Sequence, residues 1–200
     1  MTTSKVPGAA SIHEAGGGIG ALPGRLRPVT PRMRVHGPAY PVRCPGGDNL
    51  WLHRAIAAAP PGSVMVAETG GLTEFGYWGE IMTRAARAKG LAGLVIDGGV
   101  RDTAVLASLD FPVFSSGARI RGTGKDPARG GALAVPVVLG DVLVRPGDLV
   151  VGDADGVVIV PADAAVEAVE AARRRDLDEA AIIERLEAGE TTLDIYGLPA

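Results

Sequence analysis

Cysteine, histidine and aromatic residues are scarce in this chain, and each scarcity excludes something. A single cysteine, Cys44, stands among 200 residues, so no internal disulfide can form and a reducing, cytoplasmic setting is expected. Cys44 has no evident helper in the sequence and is read as a small buried hydrophobe. The three histidines, His13, His36 and His53, lie far apart without zinc spacing, so each is read as structural. Aromatics make up only 4%, so Ala, Val, Leu and Ile must fill the core. A formal net charge of -3 gives no reason to expect a nucleic-acid partner. No apolar run approaches the length of a transmembrane helix, and the N-terminus lacks the apolar segment of a secretory signal. Neither membrane insertion nor export is therefore expected. A Gly-x-Ser-x-Gly elbow is also missing, which leaves nucleophilic catalysis poorly supported.

Glycine and proline are plentiful, at 29 and 15 residues, and predict many tight turns between short strands. Apolar residues reach 46%, enough for a globular core. The length suits one domain, and neither a linker nor a repeat interrupts it. Residues 1–30 are expected to be a loose N-terminal segment, in which Ser11–Ala15 could begin a short helix that Gly16–Gly20 breaks. That glycine cluster has no strand before it and no Gly-Lys-Ser/Thr after it, so a flexible turn is expected there and not a phosphate loop. A quinone methyltransferase would need that missing strand. Met33–Arg43 alternates like one or two strands with a Gly37-Pro38 turn. Asp48 is placed to cap a helix over Asn49–Ala59, and Ser63–Ala67 reads as a buried strand. Glu68–Tyr77 reads as a loop, Thr103–Leu109 as a short helix and Pro112–Ser116 as a strand. Gly117–Gly131 is a glycine-rich loop with Arg119, Arg121, Lys125 and Arg129, cations that are usually just solvated. Four short strands between Val135 and Val160 predict a meander or small barrel. Pro161 then stands at the first position of a long C-terminal helix running over 161–189.

The stretch Trp78–Asp102 carries the chemistry. It reads as a loop, a helix opened by Glu80 and closed by Lys89-Gly90, a buried strand at Leu94–Ile96, and a glycine turn ending in Arg101-Asp102. If strand and helix lie side by side, Glu80, the free amides of Gly79 to Met82, Arg101 and Asp102 share one pocket. A carboxylate, a guanidinium and a helix-end anion site suit a small oxo-acid and a divalent cation. Plainer alternatives stand beside this one. Asp102 could simply cap the helix from Thr103, with Arg101 solvated, and Glu80 could be an acid favoured by the helix dipole. Magnesium takes one or two carboxylates and keeps several waters, so Asp102 as the only direct ligand is physically reasonable.

An acidic residue, twenty intervening residues and then Arg-Asp (Glu80, Ile81–Val100, Arg101-Asp102) resembles the family of the regulator of ribonuclease activity A and the class II 4-hydroxy-4-methyl-2-oxoglutarate aldolases. Cys44–Leu50, Val95–Asp102 and Val144–Val158 resemble further family blocks, and the likeness runs from about Ala39 to Gly189. The resemblance implies an α/β fold, a β/β/α sandwich of the phosphohistidine (swivelling) domain type, with a mixed sheet, a small barrel-like meander and a long C-terminal helix. It implies homotrimers or homohexamers with sites at subunit interfaces. It also implies a Mg2+ or Mn2+ ion held by Asp102 directly and by Glu80 through water. Arg101 would bind the oxo-acid oxygens, and Gly79 with the amides of Ile81 and Met82 would hold the pyruvate carboxylate. The implied activity is a lyase that releases pyruvate from a small 2-oxo dicarboxylic acid, by retro-aldol cleavage or by decarboxylation of oxaloacetate. The other branch of the family implies a non-catalytic ring that inhibits a ribonuclease. The chain departs from the aldolases at Glu80, where they prefer Asp, at Val105, where members often carry an acid, and at Glu14-Ala15, where an Asp-Ala pair is usual. For the acid that a neighbouring subunit supplies in the aldolases, this chain offers Glu184 or Glu187.

Overall fold

The computed structural model describes residues 6–199. In chain order the elements are α1 (Ala9–Ala15), β1 (Arg27–Pro28), β2 (Val35–Arg43), α2 (Leu50–Ala58), β3 (Val64–Glu68), β4 (Gly76–Trp78), α3 (Glu80–Ala88), β5 (Gly93–Ile96), β6 (Gly99–Val100), α4 (Thr103–Leu106), β7 (Val113–Ser115), β8 (Ala132–Leu133), β9 (Val137–Leu139), β10 (Val142–Val144), β11 (Leu149–Asp153), β12 (Gly156–Val160), α5 (Ala165–Glu187) and α6 (Thr192–Tyr196).

The main sheet runs β1-β7-β5-β3-β2-β11-β12, with β8 added to β2. β2, β3, β5 and β7 are parallel, and the outer pairings are antiparallel. β5 and the first four residues of β3 are apolar because both of their faces are covered. Met65, Ala67, Leu94 and Ile96 face one core with α2 and α3, while Val64, Val66 and Val95 face a second with Phe114, Leu139, Val150 and Ile159. This period-two division puts one face of the sheet against helices and the other against strands, the expected β/β/α class. A third core joins α1 and α5 to β11 and β12 through Ile12, Val151, Val158, Val160, Ala168 and Ala172. Across the seam between the two end strands, Arg27 Nη1 donates to the Asp155 carbonyl at 2.7 Å. The segment before β1 lies on β12, with Leu22 N–H to Val157 O and Ile159 N–H to Gly20 O, both at 2.9 Å. The sheet thereby curls nearly into a barrel.

Several expectations are corrected. Gly37-Pro38 makes no turn, since β2 is one strand that changes partner there. Residues 35–38 pair with β11, and residues 39–43 pair with β3. Gly37 is required by close approach, because a Cβ would sit 2.6 Å from the Gly62 carbonyl. The loop expected over Glu68–Tyr77 runs into a strand, because β4 pairs with β6. The N-terminal segment is not loose through residue 30. The part at Met1–Lys5 lies outside the described residues, but α1 buries Ala9 and Ile12, and Asp153 accepts the Ala9 amide at 2.9 Å. Gly16–Gly20 is the turn that follows α1, and among the described residues no strand lies ahead of it. Pro161 lies before α5 and not at its first position, because the Asp148 carboxylate takes the Ala162 amide at 3.1 Å and folds residues 161–164 into a turn. The meander splits into a separate β9–β10 hairpin and a β11–β12 hairpin that joins the main sheet. The long C-terminal helix is present, buries Ala168 and Ala172, and is followed by α6. Among the described residues, no helix is long and apolar enough to cross a membrane.

Cys44 follows β2 and is buried. Burial, then the nearby charges of Asp97, Asp48 and Glu68, push its thiol up to about 12. The thiol therefore stays protonated in neutral and mildly alkaline buffer. Iodoacetamide is expected to leave Cys44 unmodified in the native protein and to alkylate it in urea. Rapid native alkylation, read by mass spectrometry, would contradict this environment.

Candidate active site

The glycine turn and the start of α3 meet because two short strands hold them together. β4 and β6 pair in parallel, Gly76 with Gly99 and Trp78 with Val100, in a ribbon apart from the main sheet. Trp78 anchors it from below. Its ring is fully buried and stacks on Phe111 at 6.3 Å. The indole N–H donates to Thr83 Oγ1 at 2.6 Å, and that hydroxyl donates to the Gly79 carbonyl at 3.0 Å, which locks the first turn of α3. Arg101 N–H donates to the Trp78 carbonyl at 2.8 Å.

Asp102 then reaches back. Its backbone is left-handed, φ 56° and ψ 32°, an unusual conformation for a non-glycine residue. Its Oδ2 accepts the Glu80 amide at 3.0 Å. Asp102 is thus at the N-cap position of α4 but makes no side-chain cap there, and it caps α3 instead, across the fold. The simpler reading of Asp102 as a local cap is therefore not what the structure shows. Gly79, the N-cap residue of α3, has no side chain to do this, and a Cβ on it would collide with Asp102 Oδ2. Gly76 and Gly79 also seat Arg101, whose Cδ and Cγ would lie 3.5 and 3.1 Å from Cβ atoms built on those glycines. Among the described residues, no carboxylate lies within ion-pair distance of Arg101.

Glu80 opens α3, and its Oε1 accepts from Arg84 Nε at 2.7 Å. The first bond of the α3 ladder runs from Thr83 N–H to Gly79 O at 3.1 Å. The amides of Ile81 and Met82 therefore stand outside the i→i−4 ladder, as first-turn amides do. Ile81 is 76% exposed and Met82 5%, so the helix start opens to solvent on one side and rests on the core on the other. The predicted set of Gly79, Glu80, Ile81, Met82, Arg101 and Asp102 is thus one cluster in space.

Other groups that were not named individually as site residues frame it. Arg119 donates its N–H to the Val100 carbonyl at 2.8 Å, lays its side chain over Gly99 and pairs with Glu74 at 3.1 Å. Arg121 lies over the Phe75 ring at 5.3 Å. The first part of the basic loop is therefore a wall of the ribbon and not merely solvated. Fully buried Asp48 ties down the rest, accepting from Leu50 N–H at 2.8 Å and Asp126 N–H at 2.7 Å. Asn49 donates to the Tyr77 carbonyl at 2.8 Å and so steadies β4. Asp97 accepts from Thr69 N–H and Oγ1–H at 2.8 and 2.6 Å, joining the ends of β3 and β5. The signals for Asp48 and Asn49 lay in the Cys44–Leu50 block, and for Asp97 in the Asp-Gly-Gly turn. Both offered turn chemistry only, because their partners are distant in sequence. Glu184 and Glu187 lie exposed on the second half of α5, a helix that packs on α1 and α6.

The donors available to a metal are all carboxylate oxygens. Among the described residues, no group of three His, Cys, Asp or Glu side chains converges. Asp102 gives Oδ2 to the helix and keeps Oδ1, and Glu80 keeps Oε2 beside its bond to Arg84. Few, hard, exposed oxygen donors fit a cation that retains much of its water, such as Mg2+ or Mn2+, and do not fit zinc.

Comparison with known proteins places this geometry among relatives. Residues 9–159 match the model of the RraA-like family, described as Aldolase/RraA. A protein of Halalkalibacterium halodurans, named "Putative 4-hydroxy-4-methyl-2-oxoglutarate aldolase", is 35% identical over 170 residues, 85% of this chain and 80% of that protein. A crystal structure of an uncharacterized Pseudomonas syringae protein superposes with a TM-score of 0.80 at 34% identity, over 92% of this chain and 90% of the other. Streptomyces coelicolor RraAS2, described as an unusual member of the RNase ES inhibitor RraA family, superposes with a TM-score of 0.73 at 31% identity, over 86% and 89%.

Two stability measurements test the framework. Asp102→Ala removes the cap of α3 and is expected to cost about 1 kcal/mol in urea unfolding, whereas Asp102→Asn keeps an acceptor and should cost less. Equal losses would show that the carboxylate does not cap the helix through a hydrogen bond. At Asp97, burial raises the carboxyl above its ordinary 3.8 despite the opposing Thr69 hydrogen bonds. The folded chain then holds this proton more tightly than the unfolded chain, so stability falls as pH rises from 3.8 through the raised value. Asp97→Asn keeps an acceptor for Thr69 and should flatten that fall. An unchanged pH slope of the urea midpoint would contradict the shift.

Proposed function

This chain belongs to the RraA-like, Aldolase/RraA family, and from that premise we propose that it is a divalent-metal-dependent lyase. In this reading it cleaves a C–C bond of a small 2-oxo dicarboxylic acid to release pyruvate. The observation that carries the reading is the convergence of the Asp102 carboxylate, the unpaired Arg101 guanidinium and the opening turn of α3. The amides of Ile81 and Met82, at the positive end of a helix, hold the pyruvate carboxylate. Arg101, free of a protein carboxylate, takes the oxygens of the 2-oxo acid in its fork. Asp102 and Glu80 would hold Mg2+ or Mn2+, which when bound supplies Lewis-acid polarisation of the 2-oxo group.

Bond cleavage, by retro-aldol reaction or by loss of carbon dioxide from oxaloacetate, leaves the electron pair on pyruvate as an enolate. The fixed charge of Arg101 and the helix amides stabilise it where it forms. In the aldol case the C4 hydroxyl must lose a proton, and Glu80, through water, is the base that this chain offers. The buried Trp78 and its bond to Thr83 keep the helix start in place as charge builds. The proposed assembly is a homotrimer or homohexamer. Leu177, Ile183 and Leu186 on α5 stay exposed in the single chain, apolar surface that a neighbouring copy would cover.

The test measures pyruvate release from oxaloacetate and from 4-hydroxy-4-methyl-2-oxoglutarate with Mg2+. Turnover should stop with a chelator. It should fall by about a hundredfold or more in Asp102→Asn and Arg101→Ala, the first chosen because the cap of α3 survives it. Metal-dependent release that persists in Asp102→Asn would remove the site assignment. A second reading, a non-catalytic ring-shaped inhibitor of a ribonuclease, is favoured by the likeness to RraAS2. Retention of a ribonuclease in a pull-down, with no pyruvate from either acid, would replace the lyase by that regulator.

A further inference from the structure

A cavity of about 450 Å3 adjoins the candidate active site, walled by Arg25, Arg27, Val100, Thr103, Ser116 and Gly117 together with their neighbours. Thr103 directly follows Asp102, yet Glu80, Arg101 and Asp102 do not line this space, and neither does any other acid. Its cations lack carboxylate partners. Arg34, Arg84, Arg119, Arg175 and Arg185 each pair with an Asp or Glu, whereas among the described residues no carboxylate lies within ion-pair distance of Arg25 or Arg27. Arg27 donates to the backbone carbonyl of Asp155. Asp97 is near enough to act on Arg25 electrostatically, but among the described residues the two form no ion pair. The second observation is Ser116. Among the described residues its buried Oγ has no hydrogen-bond partner, while its amide donates to the Gly98 carbonyl at 3.1 Å. A buried hydroxyl left unpaired is costly and calls for an acceptor.

We propose that this cavity is a second oxyanion site, which takes a small carboxylate or a phosphate between the Arg25 guanidinium and the Ser116 hydroxyl, with Arg27 and Thr103 on its walls. An oxyanion satisfies both vacancies at once. It accepts the Ser116 O–H and meets a planar guanidinium, the pairing that charge-assisted bonds favour. The absence of acids in the wall removes the repulsion that would otherwise reject it. The site stands whether or not the protein is a lyase, because none of the groups assigned to that chemistry belongs to it.

Calorimetric titration of the full chain with inorganic phosphate, and separately with malonate, tests the proposal and tells the two sources apart. At least one anion should bind the wild type. Ser116→Ala and Arg25→Gln should each weaken that anion about tenfold, the scale of one lost charge-assisted bond. Arg101→Ala should leave it unchanged, and pyruvate should not compete. Circular dichroism of Ser116→Ala, which deletes one atom, guards against loss of the fold, and Ser116→Thr should retain binding because it keeps the hydroxyl. Three results overturn the proposal: no binding of either anion by the wild type, binding that Arg101→Ala abolishes, or binding indifferent to both Arg25→Gln and Ser116→Ala.

Discussion

One hydrogen bond, from the amide of Glu80 to the carboxylate of Asp102, joins the parts of this molecule that the proposed chemistry needs together. It spans 22 residues and closes a loop containing a helix, a core strand and a glycine turn. A helix that begins at glycine cannot cap itself, so its positive end recruits a carboxylate from elsewhere. That recruitment orients Asp102, holds it in a left-handed backbone that few residues accept, and uses only one of its two carboxylate oxygens. The same side chain thus stabilises the helix and presents a charge at the helix mouth. The structural role and the proposed functional role are hard to separate here because one interaction would serve both.

The bond is only as good as what surrounds it. The β4–β6 ribbon is short, and two strands of two or three residues would not persist alone. Trp78 fixes it to the core on one side. Asn49, Asp48 and the loop at 124–126 fix it on the other. Glycines at 76, 79 and 99 are what let Arg101, Asp102 and Arg119 lie flat across the ribbon, since a Cβ at any of them would meet one of those residues. Rigidity below and missing side chains above together make a shallow, charged surface on a firm base.

The departure at Glu80 acquires a physical setting. Its longer side chain is drawn along the helix toward Arg84, one turn on, by an exposed pair of the i,i+4 kind. Such a pair contributes little stability, but it sets where the carboxylate spends its time. Glu80 is therefore held near Asp102 through its amide and toward Arg84 through its carboxylate. The charge that the family pattern requires is kept, while its reach differs from that of an aspartate.

Local sequence signals were sufficient where the physics is local. The helix from Glu80, the buried strand at Leu94–Ile96 and the short helix after Asp102 all follow from periodicity, capping and turn chemistry. The grouping of Gly79, Glu80, Ile81, Met82, Arg101 and Asp102 was also legible, because a strand and a helix joined by a tight turn can pack only a few ways. What the sequence could not decide was pairing between distant segments. Nothing near Gly37 announces that β2 exchanges β11 for β3 at that point, nothing near Pro161 announces that Asp148 will hold the following amide, and nothing near Asp102 tells which helix its carboxylate will cap. Hydrogen bonds over such separations depend on where the whole chain places their partners, so only the tertiary structure chose between Asp102 as a cap for its own helix and Asp102 as the clasp of another.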